Sequence, residues 1–446
     1  MTHQPRAATV LSVFARAFRT PDLRKKILFT LAVIALFRLG QFLPAPGAHV
    51  VNVQRCLTQA QTGDNAGFYQ TVQFFSGGGM LKLSVFALGI MPYITASIVM
   101  QLLAVVIPRL EALKKEGSSG TAKITQYTRY LAVGLAVLNA ATLVALARTG
   151  GIFPNCPHPL LTGQDLMTVV TLVVTLTAGA AAVMWLGELI TERGVGNGMS
   201  LLIFTQVVAF FPAYLLGILR QDVVAFVTMM VVGGFLVAAV VFVEQAQRRV
   251  PVQYAKRMVG RRMYGGSSTY IPLKVNQAGI IPVIFTSSLL YLPQLAVGFL
   301  DGGQPNPVTG WISAYLVSGD HPVYVFTYLT LIVAFTFFYV SITFDPVEVA
   351  DNMRRFGGFV PGIRPGRPTA EYLGYVLNRL TAPGAAYLGV LSVIPIIAFV
   401  LLGDPQTQQN FPFGGASILI MVGVGLDTVK QIESQLQQRH YEGFLR

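Results

Sequence analysis

The stretch LSVFALGIMPYITASIVMQLLAVVI, residues 83–107, carries no charged side chain. As a helix it is long enough to cross the roughly 30 Å of a bilayer's hydrocarbon. Gly89 and Pro92 interrupt it. Irregular backbone at membrane depth is tolerated where it is buried in protein or lines an aqueous cavity. Immediately upstream, Ser76-Gly77-Gly78-Gly79 follows a short amphipathic segment, Phe68–Phe75. That segment is far too short to span and reads as a re-entrant or interfacial half-helix.

Outward from this stretch, apolar runs recur at Ile27–Leu43, Tyr130–Ala147, Leu166–Gly187, Gly198–Leu219, Val223–Val243, Ile280–Leu300, Val323–Thr343, Tyr372–Leu402 and Pro412–Ile432. With Leu83–Ile107 they make ten spans. Of the 446 residues, 53% are hydrophobic and 11% charged, against about 25% charged in a soluble domain. The composition is that of an all-α polytopic membrane protein. It excludes an ordinary soluble enzyme, a disordered chain and a nucleic-acid-binding domain of the usual kind. Met1–Lys26 is basic and lacks a small-residue cleavage site, so Ile27–Leu43 reads as a retained first span rather than a signal peptide.

Ten spans put both termini on one side. Of the 32 Lys+Arg, 24 fall on the two tails and the segments after spans two, four, six and eight, and three on the opposite loops. Cytoplasmic loops collect Lys and Arg, so both termini are expected in the cytosol and the Phe68–Phe75 segment on the outer side. If the halves 27–222 and 223–432 share a fold, five spans in each makes them inverted repeats, with the functional site between them. The 1–26 and 433–446 tails and the loops 244–279 and 344–371 are then cytoplasmic. Cys56 and Cys156 both fall on outer loops, where a disulfide and two free thiols are both chemically permitted.

Two cytoplasmic loops are long and basic. Glu244–Gly279 carries Arg248, Arg249, Lys256, Arg257, Arg261, Arg262 and Lys274, interleaved with Tyr254, Tyr264 and Tyr270. Phe344–Glu371 carries Arg354, Arg355, Arg364 and Arg367, stiffened by Pro361, Pro365 and Pro368. One reading is topology plus anionic-lipid contact, at about 1 kcal/mol per basic residue near the surface. The other is docking of a large anionic or RNA-bearing partner. Acidic residues are nearly absent from the spans, Asp427 being the exception. Coupled carriers of small solutes usually hold carboxylates or histidines in the membrane. The sequence shows no phosphate-binding loop, zinc-ligand spacing or nucleophile motif, so neither catalysis nor a metal or other cofactor is expected.

Several motifs resemble the SecY family, the channel subunits of Sec translocons. FSGGG (75–79) and VFALGIMPYITASI (85–98) are similar to its plug and second helix. QYTRY (126–130), WLGELITERGVGNG (185–198), QRR (247–249), YAKR (254–257), PLKVN (272–276), ADN (350–352) and FVPGIRPG (359–366) extend the match. GLDTVKQIESQ (425–435) looks similar to actinobacterial members. The resemblance implies two inverted five-helix halves around an hourglass pore in the plasma membrane, passing unfolded preproteins across it and membrane proteins laterally into it. It places Ile90, Ile94, Met199, Ile203, Ile284 and Ile420 in an aliphatic pore ring, with Met199 where an isoleucine is common. The plug would be 65–76, with Phe68, Phe74 and Phe75 on it and Gly77, Gly78 and Gly79 as its hinge. Gln101, Asn276 and Gln277 would sit beside the lateral gate that admits signal sequences. Arg248, Arg249, Lys256, Arg257, Arg261 and Arg262 would meet ribosomal RNA, and Arg364 the SecA motor. SecE and SecG would complete the complex.

Overall fold

The computed structural model describes residues 18–61, 76–153, 156–163, 165–221, 223–254, 257–259, 262–264, 268–286, 289–290, 307–312, 315–316, 321–402 and 415–442. The helices before the first strand are α1 (Pro21–Phe42), α2 (Val50–Gln61), α3 (Met91–Val106), α4 (Pro108–Lys115), α5 (Ser118–Thr149), α6 (Leu166–Arg193), α7 (Gly198–Gln221) and α8 (Val223–Gln245). Strands β1 (Gln247–Tyr254), β2 (Arg257–Val259), β3 (Arg262–Tyr264) and β4 (Ser268–Lys274) follow. Then come α9 (Pro307–Ile312), α10 (Pro322–Thr343), α11 (Pro346–Arg355), β5 (Gly358–Phe359), α12 (Arg367–Leu402) and α13 (Gly415–Glu442). Helix covers the described part of each expected span apart from the first residues of the second and single residues at span ends; Ile280–Leu300 is described at 280–286 and 289–290, and Pro412–Ile432 from 415 onward. Contacts divide the described residues between two compact units: Met1–Thr228 with Leu402–Pro412 and Ile420–Arg446, and Met229–Leu401 with Phe413–Leu419.

The second span differs from its expected bounds. Its helix begins at Met91 rather than Leu83, and the preceding residues form a chain of tight turns. Gly77, Gly78 and Gly89 take positive φ of 66°, 78° and 55°, and Leu83 joins them at 47°. A helix cannot run through such dihedrals, and Pro92 fits the first turn of one that starts afresh. The turns are tied down, with Ser84 bridging Pro44 and Val85 N donating to Leu43 O at 2.8 Å. At its other end the span bends by 99° into α4, where Pro108 cannot continue the helical hydrogen bonds.

In the first unit α5 packs against both α3 and α6. Small residues permit the closeness: Ala132, Ala136 and Ala140 on α5 are buried, and Gly179 on α6 lies directly against the Val85 carbonyl, where no side chain fits. The segments around Cys56 and Cys156 join this core. Cys56 and Cys156, left open by the sequence, are disulfide-bonded, with Cα atoms 5.5 Å apart.

In the second unit the basic loop folds into a sheet of strand order β4-β1-β5, which adds strands to an otherwise helical expectation. Val250 and Val252 point inward on β1 between exposed neighbours, the period-two pattern of a half-buried strand. Val250 pairs with Ile271, and Gln253 pairs with Ser268 and Phe359. Val250, Val252, Leu273, Met353, Val360, Leu373 and Val376 form its core. The two long loops are therefore one folded module, whose helix α11 is capped by Asp345 accepting from Val347 N at 2.8 Å.

Candidate functional site

Four of the six ring candidates meet in one place in the first unit. The crossing of α6 and α7 is set by glycines. An added methyl on Gly198 would run into the Gly187 carbonyl, and one on Gly187 into the Met199 thioether. Met199 and Ile203, one turn apart on α7, are brought against Ile90 and Ile94 at the start of α3. Ile90 is 1% exposed, the other three half-buried. Val33 and Phe37 of α1, Val183, Leu186 and Ile190 of α6 and Leu201 and Leu202 of α7 complete the buried set, and Val424 of α13 packs on it. Ile420 is also buried in this unit, and Ile284 is buried in the second.

Within this apolar neighbourhood sits a residue that the sequence reading passed over. Gln206, on α7 one turn beyond Ile203, is 1% exposed. Its Nε2 has no hydrogen-bond partner among the described residues. It abuts Gly89, where an added methyl would lie 2.7 Å from Nε2. A glutamine in an apolar span is the signal that was available. An ion pair was missed as well: Arg129 Nε donates to Glu188 Oε1 at 2.8 Å, tying α5 to α6.

The glycine run is buried rather than free-standing. Gly77, Gly78 and Gly79 are buried beside Ser76, and Gly77 packs on the Gln41 amide so closely that a methyl would collide with it. Gln41 is itself 2% exposed and accepts from Arg38 at 2.6 Å. Arg38 and Lys82 both lie over the Phe42 ring, at 5.4 and 4.9 Å. Phe68, Phe74, Phe75 and nearly all of the 65–76 plug segment lie outside the described residues.

Of the gate candidates, Gln101 is exposed on α3. Asn276 is 3% exposed and donates to Glu244 Oε1 at 2.6 Å, joining the turn after β4 to the end of α8. Gln277 accepts from Lys274 N at 3.1 Å and closes the same turn. Both belong to the second unit and Gln101 to the first.

On the basic module Arg248 and Arg249 are exposed on β1, and Arg249 lies over Tyr270 at 4.9 Å. The backbones of Arg257 and Arg262 pair across β2 and β3 with Tyr264 and Val259. Lys256 and Arg261 lie outside the described residues. Arg364 is exposed on a turn between Gly362 and Gly366, whose φ values are 82° and 108°. Thr369 Oγ1 donates to the Arg364 carbonyl at 2.9 Å and fixes that turn.

These features define a multi-pass helical membrane protein with a folded, basic module on its loops. The SecY family model matches residues 84–429. Protein translocase subunit SecY of Streptomyces galbus is 60% identical over 444 residues, covering 98% of this chain and all of that one. Its counterpart in Mycobacterium bovis is 56% identical over 442 residues, with the same coverage. The chain belongs to the SecY family. Its fold is similar to a solved protein-conducting channel at TM-score 0.62 and 20% identity, covering 92% of this chain and 91% of the other. It is also similar to Sec61 in a canine ribosome-channel complex from the endoplasmic reticulum, at TM-score 0.59 and 19% identity, with the same coverage. At these identities the likeness concerns the fold.

Proposed function

We propose that this chain is the channel subunit of a Sec translocon in the plasma membrane, with cytoplasmic termini, passing unfolded preproteins across the bilayer and membrane segments sideways into it. The full-length relation to translocase subunits from Streptomyces and Mycobacterium carries this reading. In it the halves are 27–222 and 223–432, and the protein acts as a conduit rather than an enzyme. The aliphatic meeting of Ile90, Ile94, Met199 and Ile203 supports it. Such a constriction excludes ions by dewetting yet offers no hydrogen-bond pattern to select against any passing sequence. Ile284 and Ile420 would complete the ring. The 65–76 segment would plug the outer funnel, turning about Gly77–Gly79. Gln101, Asn276 and Gln277 would flank the gate that admits signal sequences.

The basic module fits a second part of this reading. An ordered sheet holding Arg248 and Arg249 outward presents positive charge at fixed positions, as phosphate recognition requires, and Lys256, Arg257, Arg261 and Arg262 would add to the contact. A ribosome would dock there through its RNA. The Arg364 turn would engage the SecA motor, and SecE, SecG and anionic lipids would surround the spans. Purified chain reconstituted with SecE, SecA, ATP and a preprotein should move the preprotein into protease-protected vesicle lumen. No protection, with assembled complex and active SecA, would refute the proposal.

A further inference from the structure

The chain contains two cysteines, and both are in one bond. That bond is the centre of a laced outer cap. His49 N donates to Leu160 O at 2.8 Å, Thr162 N to Gly47 O at 3.0 Å, and Asn52 Nδ2 to Pro159 O at 2.9 Å. Ala48 bridges Leu161. The two sulfurs are not equivalent. Cys56, on α2, is 1% exposed among Val53, Leu57, Leu143 and Phe153. Cys156 packs on the edge of that cluster and is only half-buried.

We propose that this bond is installed by oxidative maturation on the outer face of the membrane, by a protein carrying a reactive disulfide, with Cys156 meeting the oxidant and Cys56 closing the bond. The inference rests on the topology proposed above, which puts both cysteines in the oxidising compartment. The Cys156 thiol loses its proton, and its thiolate attacks one sulfur of the oxidant's disulfide, expelling the other as a thiolate. The Cys56 thiolate then attacks Cys156 Sγ, forming the Cys56–Cys156 bond and releasing the oxidant as a dithiol. Two electrons and two protons leave this chain, and the oxidant's disulfide is reduced. Burial sets the order. Once α2 docks, a protein-sized disulfide has no approach to Cys56, which nevertheless lies beside Cys156. The bond spans 100 residues, including α3, α4 and α5, so it closes only after those helices have been inserted.

The test begins in cells quenched with acid, where thiols are trapped with a polyethylene-glycol maleimide. Wild-type chain should shift only after prior reduction. Full-length single variants in nanodiscs are then challenged with oxidised glutathione. Cys56→Ser should acquire one glutathione adduct, and Cys156→Ser should remain unmodified. Free thiols in quenched wild-type cells, or equal adduct on both variants, would overturn the proposal. The topology is read separately. Cys56→Ser leaves Cys156 as the sole thiol, and a membrane-impermeant maleimide should label it on intact cells after mild reduction. Labelling that requires lysis overturns the topology and this inference together. Outside labelling combined with free wild-type thiols overturns the inference alone.

Discussion

Replacing Gln206 with leucine should make the idle channel tighter. The Gln206 amide is buried beside the aliphatic cluster with its Nε2 unpaired among the described residues. An unsatisfied buried donor costs about 1–3 kcal/mol. In the proposed channel, water or the backbone of a passing polypeptide accepts from Nε2 once the constriction widens, and the penalty falls away. Gln206 therefore raises the closed state relative to the open one. Leucine has similar reach and no polar atom, so Gln206→Leu lowers the closed state by the same amount. A change of 1–3 kcal/mol shifts a two-state equilibrium by roughly 5- to 150-fold. Vesicles holding the variant complex should leak iodide more slowly than wild type. Preproteins with weakly hydrophobic signals should be exported less, while those with strong signals retain near-normal rates. Equal or faster leak in Gln206→Leu would refute the reasoning and place Gln206 outside the moving part of the fold.

Gly198→Ala should loosen the same cluster from the other direction. An ordinary C···O contact is about 3.3–3.6 Å, so the new methyl must push α7 away from the Gly187 carbonyl. Overpacking of this kind costs about 1–3 kcal/mol, read as a lower thermal midpoint and a faster iodide leak, and an unchanged midpoint would count against the α6–α7 contact. Ile420→Asn should let poorly hydrophobic signal sequences through in a secretion assay, because a polar collar wets more easily. Unchanged signal selectivity would remove Ile420 from the ring. Arg364→Glu should cripple SecA-driven export while the complex still assembles on native gels, since the side chain is exposed and the bond that fixes its turn is to its carbonyl.

The spans were legible in the sequence because burial in lipid demands long uncharged runs, and the charge asymmetry of the loops supplies only the proposed orientation. What escaped depended on contacts between distant segments. The start of α3 at Met91 is decided by positive φ at Gly77, Gly78, Leu83 and Gly89, and a hydropathy run does not record dihedrals. The β4-β1-β5 sheet brings Gln253 beside Phe359, a pairing across two loops that no local pattern announces. The alternation of Val250 and Val252 was visible, but a strand of eight residues in a charged loop reads equally as irregular backbone. For the candidate site, Ile90 and Ile94 showed their shared face through helical spacing. Their meeting with Met199 and Ile203 required the Gly187–Gly198 contact. Gln206 was hidden for the opposite reason: what marks it is a hydrogen-bond partner that its Nε2 lacks among the described residues.

The most direct test is to catch a polypeptide in transit. Photoreactive side chains are placed at Ile94 and Ile203, and at Val137 and Phe235, which are exposed on α5 and α8. A preprotein is then arrested midway by a bulky C-terminal domain. Adducts to the arrested chain from positions 94 and 203, and none from 137 or 235, are the expected result. Equal adducts from all four, or none from 94 and 203 while the preprotein is protected in the lumen, would show that the polypeptide does not pass through the aliphatic cluster.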